Sequence, residues 1–174
     1  MSVEKELNRF GTVVVKEART SLTKQDRNVN RKLYNSLDYN VKVSKNSFEM
    51  SFFMEDYGQF QDKGVRGKSS SIKAPNSPFK FGSGTGKKGG LTSSIFEWVK
   101  ARRFQFRDKD SGKFMSYKST AFLISRSIYQ KGIKATRFFS KPFESAFKRL
   151  PDDIIKAYGL EVDKFLTNTT NDIN

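Results

Sequence analysis

The chain has 174 residues and carries 33 Lys and Arg against 18 Asp and Glu, a formal charge of +15, with neither cysteine nor histidine. Those two absences exclude disulfides, thiol nucleophiles, Cys/His zinc sites and serine–histidine chemistry, leaving Asp, Glu, Lys, Ser and Tyr as the only catalytic options. Hydrophobic residues make up 36% but include 17 Phe, so the expected core is small, built from large rings and partly completed by partners.

From the N-terminus, Val3, Leu7, Phe10, Val14, Ala18 and Leu22 recur at spacings of three and four, which predicts an amphipathic helix over 3–22. Over 39–54 the period changes to two. Tyr39, Val41 and Val43, then Phe48, Met50, Phe52 and Met54, alternate with polar residues around Ser44–Ser47, which predicts an antiparallel hairpin with one buried face. Phe53 falls on the other face and calls for cover from another element or a neighbouring subunit.

Residues 63–90 are rich in Gly, Ser, Lys and Pro and read as a long basic loop, its order expected to come from neighbouring subunits. A helix from about Thr92 to Arg103 follows, with Leu91, Ile95, Trp98 and Val99 on one side and Ser94 and Glu97 at capping-box spacing. Residues 104–107 and 114–117 flank Asp108–Gly112 as a second hairpin. Ser119 is expected to cap a helix ending at Gly132. Pro142 and Pro151 each suit the first position of a helix, the last one bearing Ile154, Ile155, Tyr158, Val162 and Phe165. No apolar run reaches the roughly 20 residues of a membrane span, and residues 1–25 lack a signal peptide's apolar segment, so a soluble protein of a reducing compartment is expected. The whole reads as one α+β domain over 1–174: a small antiparallel sheet packed by an N-terminal and several C-terminal helices, with the 63–90 loop and a 91–117 helix–hairpin insertion.

The positive charge is concentrated. Lys63–Leu150 holds 21 basic and 4 acidic residues, and the rest of the chain 12 and 14. That asymmetry points to a polyanionic partner: nucleic acid, anionic lipid or an acidic protein. Gly84-Thr85-Gly86-Lys87-Lys88-Gly89 fits G-x-G-x-x-G literally, but no buried strand precedes it, and Phe81 and Lys88 break the phosphate-loop pattern. Ser70-Ser71-Ile72-Lys73 matches S-x-x-K without its companion motifs. Glu55, Asp56 and Asp62, and Asp108 with Asp110, are the carboxylates a metal-dependent nuclease would need, though they read more simply as turn and strand-end residues. Phe79, Phe81, Phe104 and Phe106, interleaved with basic residues, suit either core packing or base stacking.

Tyr57-Gly58-Gln59-Phe60-Gln61-Asp62-Lys63-Gly64-Val65-Arg66-Gly67 resembles the Y-x-x-F-x-D/E-x-G signature of tailed-phage head–tail joining (neck and tail-completion) proteins. The tryptophan helix at Ile95–Lys100, the helix at Ala121–Ile128, and Lys131-Gly132-Ile133-Lys134-Ala135 with Phe138-Phe139 before a terminal helix are similar to the same group. The 66–90 segment and the 104–117 hairpin depart from it. The resemblance implies a non-enzymatic virion protein, assembled in the host cytoplasm, without cofactor, metal, membrane or small-molecule substrate. It would form a homo-oligomeric ring between portal or adaptor and tail, around the DNA channel. Tyr57, Phe60, Asp62, Gly64, Gly67 and Gly132 would be its structural motif. Lys63, Arg66, Lys68, Lys73, Lys80, Lys87, Lys88, Arg102, Arg103 and Arg107 would face other subunits or packaged DNA. A stand-alone basic nucleic-acid-binding protein is the alternative.

Overall fold

Helix α1 (Val3–Lys24) begins where Ser2 Oγ accepts a hydrogen bond from the Lys5 amide (3.2 Å), with Glu4 and Glu6 in its first turn. A computed structural model describes residues 2–27, 31–44, 47–83 and 90–155. After α1 come α2 (Lys32–Ser36), β1 (Asp38–Ser44), β2 (Ser47–Phe53), α3 (Gly58–Lys63), β3 (Val65–Arg66), α4 (Gly90–Ala101), α5 (Tyr117–Lys131), β4 (Gly132–Ile133) and α6 (Ser140–Phe147). A further helix occupies 150–155. The fold class is α+β, with two separate two-stranded antiparallel sheets, β1–β2 and β3–β4. The chain divides into two units: unit 1 comprises 1–55 and 138–174, and unit 2 comprises 56–137.

Unit 1 is an aromatic core between α1, α6 and the β1–β2 hairpin. Leu7, Val14, Ala18 and Leu22 of α1 are buried, as the helical spacing predicts. The hairpin pairs Tyr39 with Phe52, Val41 with Met50 and Val43 with Phe48, three apolar pairs on one face. It lies so close to α1 that a Cβ at Gly11 would come within 2.5 Å of the Tyr39 and Met50 side chains. Phe10 meets Phe52 at 6.0 Å and Phe143 at 5.6 Å, edge to face, and Phe52 meets Phe139 at 5.3 Å. Pro142 is buried as the third residue of α6, two positions later than expected; proline is tolerated there because first-turn amides have no intrahelical acceptor. Arg19 donates to the Tyr34 (3.1 Å) and Leu37 (2.8 Å) carbonyls and so ties the segment before β1 onto α1.

Unit 2 is built around α4 and α5, whose contact buries Val99, Thr120, Ala121 and Ser125. Two sequence expectations change here. Ser116, not Ser119, caps α5: its Oγ accepts from the Ser119 amide at 3.0 Å. The 104–117 hairpin shrinks to a single antiparallel bridge, Arg107–Phe114, around the Asp108–Gly112 turn. Its strands do not extend because the Phe104 amide goes to the Val99 carbonyl and the Phe106 amide to Thr120 Oγ1. Through residue 83, the 63–90 segment is tied to the rest of its own chain by backbone bonds. Arg66 exchanges backbone bonds with Phe79 and Phe81 (2.8 and 2.9 Å), Lys68 and Ser69 donate to Tyr129 and Gln130, and buried Ser77 Oγ donates to the Gly64 carbonyl at 2.7 Å. The stretch 84–89, with its glycine motif, and Tyr158, Val162 and Phe165 lie outside the described residues.

Candidate functional site

The motif at 57–67 forms a tight backbone crossing. The Tyr57 carbonyl accepts from the Phe60 and Gln61 amides to start α3, and Phe60 packs edge-on against Phe79 at 4.7 Å. Asp62 is buried, and its backbone carbonyl accepts from the Arg137 amide. Gly64 (φ 71°, ψ −179°) and Gly132 (φ 83°, ψ 179°) occupy a region essentially closed to side chains. A Cβ at Gly67 would run into the Gln130 carbonyl, and one at Gly132 into the Val65 carbonyl and the Gly67 amide. The three glycines therefore let β3, β4 and the end of α5 approach backbone to backbone, and the basic loop hangs from that crossing.

The proposed contact residues divide by exposure. Lys63, Lys68, Lys73, Lys80, Arg102, Arg103 and Arg107 are exposed, whereas Arg66 is half-buried in its strand. Lys87 and Lys88 lie outside the described residues. Unit 2 carries 18 basic residues against 5 acidic ones, a net +13, and unit 1 carries 15 against 13. The charge is thus a property of one unit.

The four phenylalanines whose role the spacing left open separate into two pairs. Phe79 and Phe81 are half-buried, packed on Phe60 and Tyr129. Phe104 and Phe106 are surface residues, 40% and 37% exposed, with ring centroids 5.3 Å apart. Trp98, expected on the packed side of its helix, continues that row: it is 40% exposed and 6.2 Å from Phe104. The signal was present in the dipeptide, since Trp98 and Val99 stand about 100° apart on a helix and only Val99 is buried. Arg107 lies over the Phe114 ring at 4.7 Å and Lys100 over Phe96 at 5.2 Å.

In unit 1, the apolar face of the hairpin outruns its cover. Val43 and Phe48 at its far end are 47% and 51% exposed, and Phe53 on the opposite face is 53% exposed, so nothing in the described chain covers it fully.

Two of the carboxylates make local structural contacts. Glu55 pairs with Lys32 at 3.2 Å. Asp108 Oδ1 accepts from the Ser111 amide and hydroxyl and from the Asp110 amide, and the Ser111 bonds hold its carboxyl below the ordinary value. Among the described residues no group of three or more acidic side chains could share a metal ion, and no helix is long and apolar enough to cross a membrane. Comparison with known proteins finds no matching family model, no matching curated relative and no matching solved structure.

Proposed function

We propose that the chain is a non-enzymatic structural subunit of a virion, a ring-forming component of the head–tail connector or proximal tail that joins portal and tail around the DNA channel. The observation that carries the reading is the hairpin of unit 1. Its apolar stripe continues past α1 and ends on exposed Val43 and Phe48, with Phe53 exposed behind it. A two-stranded sheet with both edges open and uncovered apolar ends is marginal alone and is completed by pairing or packing against another chain. The likeness of 57–67 to the joining-protein signature supports the same reading, because its glycines serve a backbone crossing rather than a reaction. A net +13 unit beside a nearly neutral one suits a subunit that meets its neighbours with one part and a polyanion with the other.

The test is the mass of the purified chain in solution, alone and mixed with purified portal and tail proteins. A closed cyclic oligomer is expected, lost in a Val43→Glu, Phe48→Glu variant that keeps its helical circular dichroism. A chain that stays monomeric under all these conditions, and is absent from particles, ends this reading in favour of a stand-alone nucleic-acid-binding protein.

A further inference from the structure

We infer that unit 2 carries a binding site for single-stranded nucleic acid, formed by the Trp98–Phe104–Phe106 row and the arginines flanking it, Arg103 and Arg107. The three rings touch in sequence, at 6.2 and 5.3 Å between centroids, and each keeps about two-fifths of its surface in water. Rings in such a row are ordinarily buried. These are instead held at the surface by backbone bonds on both sides: Phe104 N–H to the Val99 carbonyl, Phe106 N–H to Thr120 Oγ1, and Met115 N–H to the Phe106 carbonyl. The platform is therefore preorganised and does not depend on a mobile loop.

The charge around it selects the ligand. Between Trp98 and Arg107 there are four basic residues and no acidic one. Phosphates complement that charge and bases complement the ring faces, which is the combination that binds unpaired strands with little regard to sequence. A duplex keeps its bases stacked on each other and would use the arginines alone. An acidic protein would do the same, since carboxylates gain nothing from ring faces.

Arg103 closes the helix at the edge of the platform. The Arg103 N–H to Lys100 carbonyl and Phe104 N–H to Val99 carbonyl bonds close α4 in a Schellman motif, with Arg103 at the left-handed position (φ 51°) where glycine is most comfortable. Arg31 and Arg137 adopt the same conformation (φ 54° and 51°), so what distinguishes Arg103 is its place in sequence directly before Phe104 of the exposed row.

This inference does not rest on ring formation, because a single subunit carries the whole site. The chain has one tryptophan, Trp98, so its fluorescence reports directly on the platform. The full-length protein is titrated with oligothymidylate and oligouridylate of about 20 nucleotides, with a duplex of the same length, and with polyglutamate. Single strands are expected to quench Trp98 and to bind more tightly than duplex; the tighter of the two strands identifies DNA or RNA as the ligand. Phe104→Leu and Phe106→Leu keep an apolar side chain and should each weaken single-strand binding about five-fold or more, leaving duplex binding unchanged. Arg103→Gly should raise the thermal midpoint while weakening single-strand binding. Duplex bound as tightly as single strands, with the leucine variants unaffected, would overturn the inference and leave charge alone. Polyglutamate that quenches Trp98 equally and depends on the same phenylalanines would overturn it in favour of an acidic protein partner.

Discussion

Gly132 and Gly112 both sit at positive φ and differ in what surrounds them, so the pair contrasts a glycine packed against backbone with one in open space. Both have positive φ, 83° and 66°. A Cβ at Gly112 would meet nothing within 4 Å, so Gly112→Ala costs only the left-handed conformation, about 1 kcal/mol. At Gly132 the same methyl would collide with the Val65 carbonyl and the Gly67 amide, neither of which can rotate away. Its φ/ψ region alone costs about 3 kcal/mol for a non-glycine residue. Separating the strands would also loosen the β3–β4 pairing and the Lys68 and Ser69 amide bonds to Tyr129 and Gln130, at about 1 kcal/mol for each bond lost. Gly132→Ala is therefore expected to cost about 4–5 kcal/mol, a large part of an ordinary domain's stability. Urea unfolding followed by Trp98 emission reads unit 2 directly. Equal midpoints for the two alanine variants would refute the backbone crossing as the anchor of the basic loop.

Phe10→Ala removes the ring that Phe52 and Phe143 pack against and should destabilise unit 1 by about 3–5 kcal/mol, measured by far-ultraviolet circular dichroism in urea; a loss under about 1 kcal/mol would mean the aromatic cluster is not the core. Ser116→Ala should cost about 1 kcal/mol through the α5 cap, and Ser119→Ala less, reversing the order that the sequence alone suggests. Asp108 titrates below its ordinary value of 3.8, so its contribution to the turn is complete above that pH and disappears as acid takes the carboxyl through its lower folded-state value. Carboxyl carbon NMR of Ser111→Ala, which keeps the amide and removes only the hydroxyl, should show the midpoint moving up; an unmoved midpoint would leave the Ser111 amide as the cause and discard the hydroxyl.

Repeating patterns made part of this molecule legible. Helix α1 is readable because Leu7, Phe10, Val14, Ala18 and Leu22 keep helical spacing without interruption, and the first hairpin because Tyr39–Val43 and Phe48–Phe52 alternate on both sides of a polar turn. The basic loop was not, because what orders it is the pairing of its backbone amides with carbonyls some 60 residues away, at Tyr129 and Gln130. No side-chain pattern records such bonds. Gly64 and Gly132 were recognisable as a turn and a helix end, but their convergence with Gly67 exists only in three dimensions. Phe104 and Phe106 looked like strand residues because they alternate. Their amides are spent on Val99 and Thr120 instead, and the rings stay at the surface.

The two ends of unit 2 are fastened to each other: the Gln61 carbonyl accepts from the Thr136 amide and hydroxyl, and the Asp62 carbonyl from the Arg137 amide. Unit 1 must bring Phe52 and Phe139 together across the 82 residues of that insertion. As a flexible loop, the insertion would oppose this by about 2.5 kcal/mol more than a connection of a few residues. Once its ends are joined, unit 2 behaves entropically as a short turn. The stability of the aromatic unit is thereby coupled to the folding of the basic one.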